Sequence, residues 1–185
     1  MKTTNFKIGM AVMTASFFLA SCDADQQSAK TADHSTNHQM MDDSGSSTLP
    51  KTKSEAINAL YPHYLALQKA LVDGQLAKAK EEALLVEEAS KSIDGAKELQ
   101  RAAAQVLSSE SLESQRSAFS PLSNALISLI KLNGVTVGEF YVAHCPMAFN
   151  DEGASWLSAS KDIKNPYFGD KMLACGSVEE ILTKH

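Results

Sequence analysis

The helical character of this chain is set by residues 52–72, TKSEAINALYPHYLALQKALV. Apolar side chains recur there with helical spacing, at Ile57, Leu60, Tyr61, Tyr64, Leu65, Leu71 and Val72. Thr52 and Glu55 have the spacing of a capping box, so Thr52 is the expected N-cap residue. Pro62 removes one backbone donor and is expected to kink or split the helix, which Asp73-Gly74 should then end.

Three further helical stretches follow at short intervals, over residues 75–92, 99–107 and 112–133. Helices joined by short connections favour an antiparallel arrangement. We therefore predict an all-α fold, an up-and-down four-helix bundle over residues 52–133. Residues 134–185 are expected to form an ordered, loop-rich segment that contains Cys and Met and packs on the bundle as part of the same domain.

The first 21 residues have the organisation of a signal peptide. Lys2 and Lys7 precede an apolar stretch, residues 8–20, which is shorter than the roughly 20 residues of a membrane-spanning helix. The stretch ends in Leu19-Ala20-Ser21-Cys22, which looks like a bacterial lipobox, so Cys22 is the expected lipid attachment site. An ordinary signal peptide with a chance cysteine is the alternative. Lipidation predicts an exported, lipid-anchored protein of the bacterial cell envelope, on the periplasmic side or at the outer membrane.

Residues 22–51 are polar and almost free of large aliphatic side chains, which predicts a disordered tether. The tether contains His34, His38, Met40 and Met41 close together. Imidazole and thioether donors suit copper, so these four residues are a candidate flexible metal-binding arm. A polar linker in which they are incidental explains the same composition.

The overall composition excludes some classes of function. With 185 residues and a formal net charge of -5, the chain lacks the positive charge of a protein that binds nucleic acid through phosphate neutralisation. A hydrophobic content of 44% excludes a wholly disordered chain. The sequence has no C-x-x-C, nucleophile elbow, phosphate loop or H-E-x-x-H, so no enzymatic activity is predicted. His63 is expected to be a packing or surface residue rather than a metal ligand.

Soft sulfur donors are concentrated in the C-terminal segment. Cys145 lies two residues before Met147, Met172 lies three before Cys175, and His144 is a possible further donor. Two thiolates and two thioethers select Cu(I) or Ag(I), and thiolates with imidazole also suit Zn(II). An exported chain with two remaining cysteines can equally form a disulfide. Chemistry alone leaves both alternatives open.

Three motifs in this segment resemble a bacterial domain of unknown function. They are residues 145–148 (CPMA), 153–158 (GASWLS) and 165–176 (NPYFGDKMLACG). The helical part is similar as well, so that the resemblance covers about residues 54–176. That domain occurs alone in exported proteins, and also fused to the periplasmic adaptor (membrane-fusion) subunits of CusB-type heavy-metal efflux pumps.

The family is regarded as a metal-binding module without an established reaction. The resemblance implies that the Cys and Met positions hold a soft metal ion, Cu(I) above all, and it favours metal binding over the disulfide. Together with the lipobox, it predicts a membrane-tethered lipoprotein accessory to metal efflux or homeostasis, with a heavy-metal efflux adaptor or pump as the partner. The alternative is a disulfide-stapled helical interaction module of an envelope complex that binds no metal.

Overall fold

The computed structural model describes residues 48–184. Its helices are α1 (Glu55–Val72), α2 (Leu76–Ser90), α3 (Lys97–Ser108), α4 (Leu112–Asn133) and the short α5 (Ala148–Asp151). Its strands are β1 (Lys51–Thr52), β2 (Val135–Val137), β3 (Phe140–Cys145), β4 (Ala154–Ser158) and β5 (Ser177–Leu182). A 3₁₀ turn, Gly169–Lys171, precedes β5.

The prediction of an all-α four-helix bundle was wrong, although the four long helices lie close to their predicted spans. Consecutive helices pack on one another, α1 on α2, α2 on α3 and α3 on α4. The segment after residue 134, expected to be mostly loop, instead contributes four of the five strands. Residues 48–184 therefore combine five helices with two antiparallel sheets.

The larger sheet has the strand order β4–β3–β5, and β3 is antiparallel to both neighbours. Val142, in the middle of β3, pairs with Leu157 on one side and with Glu180 on the other. The smaller sheet joins β1 to β2, with Thr52 opposite Val135. Because these pairings join segments far apart in sequence, the periodicity of one segment does not specify them.

The N-terminus of α1 differs from the predicted capping box. Ser54 is the N-cap residue, and its Oγ accepts a hydrogen bond from the Ile57 amide at 3.3 Å, whereas Thr52 belongs to β1. Pro62 and Pro121 lie inside α1 and α4, and both helices continue through them. Tertiary packing of the helical face compensates for the lost backbone bond. None of the helices in the described part of the chain is both long and apolar enough to cross a membrane.

The sheet and the helices share one hydrophobic core. Tyr64, on α1, is fully buried, and its hydroxyl is hydrogen-bonded to Ser123 Oγ of α4 at 2.8 Å. The same hydroxyl oxygen accepts a hydrogen bond from the Leu157 amide of β4 at 2.9 Å. Burial raises the pKa of Tyr64, so this hydroxyl stays protonated. Tyr64 therefore ties the sheet to two helices at once.

A buried carboxylate, Glu82, lies on α2 between two basic side chains. Lys78 Nζ approaches one of its oxygens at 2.8 Å, and His63 Nδ1 approaches the other at 3.3 Å. Burial alone would raise the pKa of Glu82, but the contacts with Lys78 and His63 lower it overall. His63 is thus a partly exposed partner in an ion-pair network between α1 and α2.

Candidate functional site

The two cysteines of the C-terminal segment lie side by side. Cys145 ends β3 and is fully buried, whereas Cys175 lies in the loop before β5 and is half-buried. Their sulfur atoms are 2.7 Å apart, and both are free thiols. The hydrogen bond with Cys145 raises the pKa of the Cys175 thiol, and burial adds to that shift.

The distance between the two sulfurs is longer than in a disulfide and shorter than between two thiolates bound to one zinc ion. A disulfide has its sulfurs about 2.05 Å apart. Two thiolates on a tetrahedral Zn(II), with bonds of about 2.3 Å, lie about 3.8 Å apart. Closure to a disulfide therefore requires a displacement of about 0.65 Å, and opening to the zinc-bound spacing requires about 1.1 Å. Cys175 lies in a loop, and loops move more readily than strands.

Gly176 allows the Cys175 loop to lie directly on β3. A Cβ atom at this position would come within 2.6 Å of the His144 carbonyl oxygen and 2.9 Å of Cη2 of the buried Trp156. Its φ of +128° also lies in the region that glycine favours. Only glycine lets the backbone approach β3 closely enough to place Cys175 beside Cys145.

Asn165 also holds this loop in place, through a hydrogen bond to its backbone. Its fully buried side chain donates a hydrogen bond from Nδ2 to the Cys175 carbonyl at 2.8 Å. Its Oδ1 accepts hydrogen bonds from the Tyr167 and Phe168 amides, at 2.8 and 3.2 Å. Asn165 appeared in the sequence only as part of a motif, and its role in positioning Cys175 was not predicted. The Asn-Pro-Tyr stretch was the available signal, since Asn commonly organises such turns.

The two methionines meet at a cavity of about 620 Å³. Met147 is 48% exposed and Met172 is half-buried, and Phe149, Tyr167 and Phe168 supply aromatic walls. Neither cysteine is among the described residues that line it. The structure thus places the two cysteine sulfurs in contact and puts both methionines in the lining of one separate cavity.

The cavity wall contains unusual backbone. Phe149, Asn150 and Asp151 have φ values of 54°, 58° and 68°, a left-handed conformation that costs such residues roughly 1–2 kcal/mol each. The turn closes with a hydrogen bond from the Gly153 amide to the Ala148 carbonyl at 2.9 Å. Backbone strain of this kind is concentrated at binding and active sites, which supports the interpretation of this cavity as a binding site.

His144 lies apart from the two thiols. Neighbouring residues on a strand point to opposite faces, so the His144 ring and the Cys145 sulfur diverge. Its Nδ1 is hydrogen-bonded to Ser155 Oγ at 3.0 Å, and its ring lies against Gly153. Among residues 48–184, no group of three or more His, Cys, Asp or Glu side chains has an arrangement that could hold a metal ion.

The remaining candidate residues lie outside the part of the chain that the structure describes. These are Cys22, predicted to be the lipid attachment site, and the predicted metal-binding residues His34, His38, Met40 and Met41. Their proposed roles stay predictions from the sequence.

The match to a known protein family lies in the helical part of the chain and does not include Cys145, Met147, Met172 or Cys175. No curated protein and no solved structure matches the chain. Residues 60–138 match the family described as "Protein of unknown function (DUF3347)". The match extends from α1 through β2 and ends before Cys145. A DUF3347 domain of unknown function is therefore present at residues 60–138.

Proposed function

We propose that this chain is a lipid-anchored protein of the bacterial cell envelope that binds a soft metal ion, Cu(I) or Ag(I), or alternatively Zn(II), through Cys145 and Cys175. The observation that carries the proposal is the contact between two free thiols, with sulfur atoms 2.7 Å apart. Thiolates are the protein ligands that these ions prefer. The proposal assigns the chain no catalytic step.

The different backbone settings of the two cysteines support metal binding. Cys145 is held in β3 by its pairing with Ala154, whereas Cys175 lies in a loop. A metal ion that enters between the sulfurs must separate them, and only the loop has to move for this to happen. Asn165 limits that movement through its hydrogen bond to the Cys175 carbonyl.

Cellular context comes from the sequence. The Leu19-Ala20-Ser21-Cys22 lipobox supports attachment to the membrane through Cys22, and the His/Met arm that follows would raise the local metal concentration near the site. The resemblance to domains fused to heavy-metal efflux adaptors makes such an adaptor, or its pump, the proposed partner. The proposed role is accessory to metal efflux or homeostasis.

The same sulfur contact favours a second candidate function, a disulfide-stapled interaction module. In the oxidising space outside the cytoplasm, two thiols in contact are readily oxidised. The resulting loop of about 30 residues would stabilise the fold by about 3.6 kcal/mol in the chain-entropy treatment. This protein would dock on an envelope complex and bind no metal.

Metal titration of the reduced full chain, purified in detergent without oxygen, distinguishes the two. We expect one equivalent of Cu(I) or Ag(I) to be retained against a competing chelator, and retention to be lost in Cys145→Ser/Cys175→Ser. Ser177→Ala, an exposed change at the first residue of β5 and two positions after Cys175, is the matched control. If the reduced protein takes up no more metal than the double variant, the metal proposal fails. A native mass that rises by about 2 Da on reduction, together with no uptake, supports the staple.

A further inference from the structure

The four sulfur residues differ in how far solvent reaches them. Met147 is 48% exposed, Met172 and Cys175 are half-buried, and Cys145 is fully buried. Met147 is the most exposed of the four, so its thioether is the sulfur donor most open to an ion arriving from solvent. A methionine with nearly half its surface exposed is also poorly explained as core packing, which is the usual role of this residue.

Each methionine is coupled to one cysteine through the backbone. Met147 follows Cys145 by two residues and is the N-cap residue of the strained α5 turn. On the other side, the Cys175 amide donates a hydrogen bond to the Met172 carbonyl at 3.1 Å. The two short segments that supply the methionines to the cavity, which α4 also lines, are thus the same two that carry the thiols.

The chemistry of the cavity suits weak binding of a soft cation. Thioether sulfurs and aromatic ring faces attract soft monovalent cations without losing a proton. Phe149 and Tyr167 form an edge-to-face pair there, with ring centroids 5.3 Å apart.

Charged groups also line the cavity. Glu113 favours a cation, whereas Arg116 and Lys171 oppose one. The guanidinium group of Arg116 also has a partner outside the cavity, because its Nη2 donates a hydrogen bond to the Leu71 carbonyl at 2.8 Å. With these charges, the cavity binds a cation less tightly than a pair of thiolates does. Passage of the ion from the methionines to the cysteines therefore lowers the free energy.

We infer that Met147 and Met172 form a separate capture site for a soft monovalent ion, from which the ion passes to Cys145 and Cys175. The inference rests on the proposed function, because the cysteines are the acceptor. In the transfer, the dative bonds from the two thioethers break and two thiolate–metal bonds form. Each thiol releases its proton to the buffer, and the oxidation state of the metal does not change.

The capture site is tested where the cysteines cannot compete. In full-chain Cys145→Ser/Cys175→Ser, added Ag(I) should shift the ¹³C-methyl NMR signals of Met147 and Met172, assigned with the single Met→Leu variants. The shift should disappear in the same background carrying Met147→Leu/Met172→Leu. If Ag(I) moves neither methyl signal, the inference is wrong.

The transfer is tested by the rate of Cu(I) uptake into the wild-type thiols, followed by thiolate-to-copper charge-transfer absorption. Met147→Leu/Met172→Leu conserves volume and should leave the fold intact. We expect it to slow uptake by about tenfold, equivalent to about 1.4 kcal/mol in the barrier, with equilibrium affinity unchanged. Leu173→Ala, beside Met172 but outside the cavity lining, is the control and should keep the wild-type rate.

The outcomes separate the two proposals. Uptake at an unchanged rate in the methionine variant overturns the capture site and leaves metal binding by the cysteines intact. Absence of any Cu(I) or Ag(I) uptake by the reduced wild-type protein overturns the proposed function itself, and the inference with it.

Discussion

Replacing Gly176 by alanine should separate the two thiols and destabilise the fold together. The new Cβ would lie 2.6 Å from the His144 carbonyl oxygen and 2.9 Å from Cη2 of Trp156. Ordinary contacts of carbon begin at about 3.5 Å. The carbonyl is part of the β3 backbone and Trp156 is fully buried, so neither can yield easily. The Cys175 loop must therefore move away from β3.

The size of the effect follows from two contributions. A non-glycine residue at a φ of +128° costs about 1–2 kcal/mol, and the overlap adds about 1–2 kcal/mol. We expect a loss of about 3 kcal/mol in the free energy of unfolding, or a fall in Tm of about 6–12 °C for a domain of this size. Thermal and urea unfolding followed by circular dichroism measure both quantities.

Gly74→Ala provides the matched control. Gly74 has a φ of +69°, but its nearest neighbour, Leu112 Cδ1, would be 3.6 Å from the added Cβ, an ordinary contact. Only the conformational cost of about 1–2 kcal/mol remains. Oxidation of the dithiol by oxidised glutathione should slow in Gly176→Ala and stay at the wild-type rate in Gly74→Ala. Equal stability losses and equal oxidation rates in the two variants would refute this reasoning.

Three further variants probe the supports of the site and of the fold. Asn165→Ala should lower the free energy of unfolding by about 2–3 kcal/mol, because it leaves buried amides and the Cys175 carbonyl without partners. Mass spectrometry should also show faster alkylation of Cys175 in this variant. Tyr64→Phe should cost about 1–3 kcal/mol in urea unfolding, because the buried Leu157 amide loses its acceptor; an unchanged midpoint would contradict this. Glu82→Gln should cost about 1 kcal/mol at pH 7. Since the pKa of Glu82 is lowered in the folded state, the stability from its charge is present above the unfolded-state value of 4.5 and is lost as pH falls through the lower folded-state value. The difference between wild type and this variant should therefore vanish in the acid range, and a constant difference at all pH values would count against the assignment.

The four long helices could be predicted from the sequence because the residues that specify a helix are close together in the chain. The spacing of Ile57, Leu60 and Tyr64 on one helix, and the Asp73-Gly74 stop, depend on neighbours within a few residues. The error at the start of α1 arose because Ser54 and Thr52 are both good N-cap residues. A long-range contact, the pairing of Thr52 with Val135, decided between them.

The sequence predicted which residues belong to the candidate site, but it did not predict which of them lie together. Cys145, Met147, Met172 and Cys175 stood out as soft donors, and the predicted centre joined all four. Which sulfurs meet depends on how two loops pack. Gly176 brings the thiols into contact, whereas the left-handed turn at residues 149–151 and the loop that carries Met172 meet at the methionine cavity.

The sequence by itself determined the four long helices, the polar character of the tether and the identity of the sulfur residues, since these follow from composition and short-range periodicity. Only the tertiary structure decided that the C-terminal segment is a sheet packed on those helices, that the two thiols touch, and that both methionines line one cavity. Strand pairing and loop contact in this segment join residues from 9 positions apart (Cys145 with Ala154) to 42 positions apart (Phe140 with Leu182). Their energies arise only when both partners are in place.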